Sequence, residues 1–222
     1  MNIASYIDHT VLKPTTSKGD IEKLCTEAKR YQFAAVCVPP YYVGQAHNLL
    51  QSTSIKTATV IGFPFGYSSI TSKVEEMKKA ITDGTDELDM VICLAALRND
   101  DWEYLDSEIK TVMSLINEHH KIVKIIIESG LLGDEEIIRC CKLYAEYQVQ
   151  FLKTSTGYAE HGASIAAVKL MRKHLPASIQ IKAAGGIRSF DFAEELIHAG
   201  ANRIGCSSSI KIMEESMIRS DK

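Results

Sequence analysis

Eight short apolar runs alternate with amphipathic stretches from one end of this chain to the other. The strand-like runs lie near residues 6–12, 34–38, 57–63, 87–93, 122–128, 150–155, 179–184 and 203–206. Between them, apolar residues recur with helical spacing, as over 21–31, 74–81, 105–116, 135–147, 165–175 and 190–199. Ser17, Asp134 and Ser189 stand where helix caps are expected, and Gly84 and Gly200 fall just past helical stretches, where a left-handed stop is expected. Strand–helix units repeated in this way predict a parallel α/β fold. Eight of them in 222 residues predict a closed (β/α)8 TIM barrel, a single domain over residues 1–222. An open, doubly wound sheet is the alternative, since periodicity alone does not show closure.

Splitting each strand by parity separates its two faces, because alternate side chains point to opposite sides of a sheet. Leu88, Met90 and Ile92 share one face; Glu87, Asp89, Val91 and Cys93 share the other. Val123, Ile125 and Ile127 oppose Lys124 and Glu128, Leu152 opposes Lys153, and Ile181 opposes Lys182. The aliphatic faces should meet helices. The charged faces should then point into the barrel and gather Glu87, Asp89, Lys124, Glu128, Lys153 and Lys182, with Asp8 and Thr10 joining from the first strand. A structural ion-pair network explains Lys124, Glu87 and Glu128 as well as any functional role does. Lys153 and Lys182 differ, because each sits near the C-terminal end of its strand, where barrel active sites are built. A lysine there must be paired or neutral, since an isolated buried ammonium is very costly. A free lysine is neutral only about once in 2,500 at pH 7. Burial and a neighbouring cation both raise that fraction, and a neutral lysine is a nucleophile toward carbonyls.

The last three strands run into turns rich in glycine or hydroxyls: Thr154-Ser155-Thr156-Gly157, Ala184-Gly185-Gly186-Ile187-Arg188 and Gly205-Cys206-Ser207-Ser208-Ser209. Glycine lets the backbone approach a ligand, and backbone N–H groups at a helix start bind anions. Barrels often hold a phosphate after strands seven and eight, so a phosphorylated substrate is expected. Arg188 is either an aid to phosphate binding or a solvated helix-start residue.

Other classes fit poorly. A net charge of −3 without a basic stripe gives no nucleic-acid footprint. The apolar runs are too short to span a membrane, and no signal peptide is apparent at the N-terminus. Cys25, Cys37, Cys93, Cys140, Cys141 and Cys206 form no C-x-x-C pair, which argues against a zinc site or a disulfide framework and suggests a cytoplasmic protein. His9, His119, His120 and His161 lack metal-ligand spacing and read as structural or solvent-exposed. No metal or cofactor is expected. A monomer and a homodimer both fit, and closure of the sheet would leave only helices and loops for a dimer contact.

Four motifs carry a family resemblance: Ile7-Asp8-His9-Thr10-Val11-Leu12-Lys13-Pro14, Glu87-Leu88-Asp89-Met90-Val91-Ile92, Lys153-Thr154-Ser155-Thr156-Gly157 and Lys182-Ala183-Ala184-Gly185-Gly186-Ile187-Arg188. In this order they resemble the 2-deoxyribose-5-phosphate aldolases, over residues 5–209. The resemblance implies a metal-free class I aldolase that reversibly cleaves 2-deoxy-D-ribose 5-phosphate to D-glyceraldehyde 3-phosphate and acetaldehyde, in deoxynucleoside salvage. Carried over by motif, Lys153 forms the Schiff base and Asp89 and Lys182 exchange protons. Gly185, Gly186, Gly205, Ser207 and Ser208 hold the phosphate, with Gly157 nearby. Asp8 and Thr10 are either contacts to substrate hydroxyls or parts of a paired first strand. Cys37 is either a pocket residue open to attack by an unsaturated aldehyde or a plain buried cysteine. The chain departs from the family pattern at Cys93-Leu94-Ala95-Ala96-Leu97, at Tyr158-Ala159-Glu160-His161, at Cys206 and at Ser209. Two other readings remain: a Schiff-base aldolase for a different phosphosugar, and a catalytically silent phosphosugar-binding barrel. The presence of both lysines and Asp89 counts against the second.

Overall fold

The computed structural model describes residues 2–220. Eight parallel strands pair in chain order and close through β8 on β1. They are β1 (Ile7–Thr10), β2 (Ala35–Val38), β3 (Lys56–Ile61), β4 (Glu87–Val91), β5 (Ile122–Ile126), β6 (Phe151–Lys153), β7 (Gln180–Ala184) and β8 (Arg203–Cys206). The helices are α1 (Lys18–Tyr31), α2 (Val43–Leu50), α3 (Ile70–Thr82), α4 (Leu94–Arg98), α5 (Trp102–His119), α6 (Asp134–Glu146), α7 (Ile165–His174), α8 (Phe190–His198) and α9 (Ser209–Ser220). This is the (β/α)8 barrel, and closure excludes the open sheet.

Parity operates as expected. Leu88, Met90, Val123, Ile125, Leu152 and Ile181 are fully buried in one apolar layer shared with the helices. Each such side chain contributes about 1.5–3 kcal/mol when fully removed from water. Cys37, Ala58 and Val60 form a separate small cluster, against which Leu12 and Phe63 pack.

Helix starts follow local chemistry. Ser17 caps α1 in a reciprocal box with Asp20, and Ser189 caps α8. Asp134 does not cap α6. Gly133 holds that position, and the Glu136 carboxylate accepts its N–H at 2.8 Å, leaving Asp134 as the first helical residue. Gly84 and Gly200 have φ of 98° and 117°, the left-handed stops expected of them. Among the described residues no helix is long and apolar enough to cross a membrane.

Candidate active site

Seven ionisable side chains meet inside the barrel. Lys124 Nζ lies 2.6 Å from Glu87, 2.8 Å from Asp89 and 3.6 Å from Asp8. Lys182 Nζ lies 2.6 Å from Asp8 and 2.7 Å from Asp89. Lys153 Nζ reaches Asp89 alone, at 2.8 Å. Arg203, on β8, pairs with Asp8 and, at 3.0 Å, with Glu87. The contacts of the lysines to Asp8 Oδ2 and Glu87 Oε2 are ion pairs.

The charges do not balance. Four cations, Lys124, Lys153, Lys182 and Arg203, face three carboxylates, Asp8, Glu87 and Asp89. Burial makes a surplus charge expensive, so one cation is under pressure to lose its proton. Lys153 has the fewest partners. Burial pushes its ammonium below the ordinary lysine range; Asp89 opposes this and Lys182 reinforces it. For Lys182 the burial penalty is outweighed by Asp8 and Asp89, which hold its ammonium above the ordinary range. Asp89 is fully buried, yet Lys124, Lys153 and Lys182 together keep its carboxyl well below the usual range. With Lys153 neutral, three cations face three carboxylates.

Lys153 also differs in access. A cleft of about 320 Å³ opens at the C-terminal ends of the strands. Of the seven, only Lys153 lines it. Asp89, Lys182 and Asp8 lie fully buried beneath its floor. Gly205 makes this layering possible, because a Cβ there would stand 2.8 Å from Lys182 Cε.

The turns expected to bind phosphate form one wall. Gly157, Gly185, Gly186, Gly205 and Ser207 line the cleft, and Gly185 and Gly186 take left-handed φ of 91° and 77°. Ser208 does not line it; its carbonyl instead accepts from Ile212 N at 3.1 Å as α9 begins. Gly162 packs directly on the Gly185 turn, where a Cβ would come within 2.3 Å of Gly185 O. Lys13 and Arg188, both exposed, line the mouth, and among the described residues no carboxylate does. Thr10 is half-buried in the cleft wall, with its hydroxyl donating to Asp8 O at 2.8 Å. Tyr158 spans the mouth: its hydroxyl donates to Leu12 O at 2.8 Å, and its ring meets Phe63 edge-on.

Glu128 does not join as expected, and of the two readings of Cys37 the structure fits the plain buried cysteine. Glu128 lies outside the central network. It follows the end of β5 with φ of 53°, and its carboxylate accepts from the Thr156 N–H and hydroxyl. Cys37 points into the barrel but is sealed from the cleft, and burial pushes its thiol up to about 11. The chief omission from the sequence reading was Arg203. Its place two residues before Gly205, on the inward parity of β8, was the available signal.

An amine at the floor of a cleft walled by glycine turns, in a parallel barrel, suits an enzyme that works on the carbonyl of an anionic substrate, and the class is that of the aldolases. The chain belongs to the DeoC/LacD aldolase family, whose model matches residues 2–213. It is 45% identical over 216 residues to a deoxyribose-phosphate aldolase of Caldanaerobacter subterraneus subsp. tengcongensis, covering 97% of this chain and 94% of the relative. Identity to a deoxyribose-phosphate aldolase of Thermococcus kodakarensis is 49% over 214 residues, 96% of each chain. The tetrameric deoxyribose phosphate aldolase of Aeropyrum pernix superposes with a TM-score of 0.90 at 30% identity, over 97% of this chain and 91% of that one.

Proposed function

We propose that this chain is a deoxyribose-phosphate aldolase that cleaves 2-deoxy-D-ribose 5-phosphate through a Schiff base on Lys153. The observation that carries this reading is the access of Lys153. Alone among the buried charges it lines the cleft, and it is the cation that burial and Lys182 drive toward neutrality.

In this mechanism the Lys153 amine adds to the C1 aldehyde of the open sugar, and loss of water leaves an iminium. Removal of the C3 hydroxyl proton lets the C2–C3 electron pair flow into the iminium. Glyceraldehyde 3-phosphate departs and an enamine stays on Lys153. Protonation at C2 and hydrolysis then release acetaldehyde. Asp89 and Lys182 act from beneath the floor as the proton store, exchanging with the site through Lys153 and water. The Gly185–Gly186 turn, Gly205, Ser207 and Gly157 bind the phosphate, whose binding energy orients the reacting carbons. Lys13 and Arg188 draw the anion to the mouth. Thr10 faces the substrate, while Asp8 serves by holding Lys182 charged. We assign the barrel as one catalytic domain, working in the cytoplasm in deoxynucleoside breakdown without a metal or cofactor.

Borohydride reduction in the presence of acetaldehyde, followed by peptide mass spectrometry, tests this. A two-carbon adduct on Lys153 is expected. An active enzyme with no adduct on any lysine overturns the Schiff base. Good turnover of dihydroxyacetone with none of acetaldehyde would instead indicate an aldolase for another phosphosugar. Excess EDTA should leave activity unchanged; a loss restored by zinc would contradict the mechanism.

A further inference from the structure

We infer that His9 is a positioning residue that holds the anion-binding turn at the end of β8. This rests on the phosphate site proposed above. His9 lies between Asp8 and Thr10 in β1, so its ring points the opposite way, out of the barrel. In the β1–β8 ladder its register partner is Cys206, which lines the cleft. The ring is buried, and both nitrogens are used. Nε2 is 2.9 Å from Glu27 Oε2 on α1, and Nδ1 is 3.0 Å from the hydroxyl of Ser209, the first residue of α9.

Those partners fix the direction of the hydrogen bonds. An ionised Glu27 only accepts, so Nε2 carries the proton and the neutral ring accepts at Nδ1. Ser209 therefore offers its single proton to Nδ1 at 3.0 Å, in competition with the Cys206 carbonyl at 3.1 Å, which ties the same hydroxyl to the turn a second time. Its oxygen lies 3.2 Å from Cys206 Sγ, and burial pushes that thiol up to about 11, so the S–H is free to donate to it. The chain runs from the Cys206 thiol through Ser209 and His9 to Glu27. It spans the turn on both sides of Ser207 and anchors it to α1.

The set Ser209, His9 and Glu27 has the composition of a hydrolytic triad. It cannot act as one, because Ser209 is fully buried and lines no cleft. What it does instead is limit the motion of Cys206 and Ser207 beside the phosphate. Neither the capping pattern nor strand parity reveals this, because His9 and Ser209 are 200 positions apart.

The test compares His9→Asn, His9→Gln and Ser209→Ala by calorimetric titration with inorganic phosphate and by the rate of borohydride trapping with acetaldehyde. Asn keeps a polar atom at the Nδ1 position; Gln keeps one only at the Nε2 position. Loss of one ordering hydrogen bond should weaken phosphate binding about fivefold in His9→Gln and Ser209→Ala. His9→Asn should stay within about twofold of the native protein, and trapping should be unchanged in all three. Unchanged phosphate binding in Ser209→Ala, or phosphate binding and trapping falling together, would overturn the inference. A native protein that binds phosphate but fails to cleave deoxyribose 5-phosphate would sink the functional reading and leave these titrations to decide the role of His9.

Discussion

Lys153 and Lys182 are register partners on β6 and β7 and share the Asp89 carboxylate, yet they hold their protons differently. The difference is Asp8, which pairs with Lys182 and not with Lys153. Lys182→Leu should raise the Lys153 pKa by removing a like charge, so the pH needed for acetaldehyde trapping should move upward. An unmoved pH profile would show that burial alone tunes Lys153. Gly205→Ala would force Lys182 Cε from its place, at a cost of about 1–3 kcal/mol for overpacking. Urea denaturation measures that cost, and no loss of stability would mean that Lys182 has room to move. Much at this scale was legible: parity alone placed Lys124, Lys153, Lys182, Glu87 and Asp89 on one face. Glu128 escaped that logic because a left-handed residue breaks the two-residue alternation. Arg203 was passed over because an arginine opening a strand reads as solvated, while here it reaches inward to Asp8 and Glu87.

At the scale of elements, the eight strands were legible to within a residue or two at most ends, because each is a buried run bounded by turn residues. Predicted ends ran two residues long after Ile61, Val91 and Ile126; after the first and last of these, left-handed Gly62 and Glu128 break the extended run. Among the helices, α2, α4 and α9 were not delimited. The first two are short and α4 is capped by Cys93 without a side-chain bond, so little local signal marks them. A buried pair outside the barrel also escaped notice. Lys73 on α3 lies 2.6 Å from Glu108 on α5 and donates to Val91 O at 2.7 Å, while Glu108 accepts from Cys93 N at 3.2 Å. Both look like solvated helix residues in sequence. Together they tie two helices to the exit of β4, just past Asp89. Lys73→Met leaves a buried carboxylate unpaired and should cost about 3–5 kcal/mol. Adding Glu108→Leu should recover much of that loss, as read from denaturation midpoints. If the double variant is no better than the single one, the pair is not the source of the effect.

For the whole molecule, periodicity implied a parallel α/β fold but could not show that the sheet closes; β8 pairing with β1 does. Closure is what buries the charge network on every side, and it ties stability to acid. Asp8 and Asp89 sit below 3.8 in the fold, so they stay ionised where the unfolded chain has begun to take up protons. Their contribution is therefore fully present above 3.8 and is lost as pH falls below it toward their folded values. Urea midpoints should fall steeply below about pH 4, and Asp8→Asn should flatten that fall. Equal slopes for both proteins would place the acid sensitivity elsewhere.

The surplus positive charge at the barrel centre bears on the direction of electron flow. The interior is in balance when the nitrogen on Lys153 is uncharged. The proposed iminium restores the fourth cation to a space that already holds three. Collapse to the enamine discharges that nitrogen, and C2–C3 scission is the step that accomplishes it. The barrel thus behaves as a compressed spring set against the iminium, relaxed by the free amine before the sugar arrives and by the enamine after the carbon bond has parted.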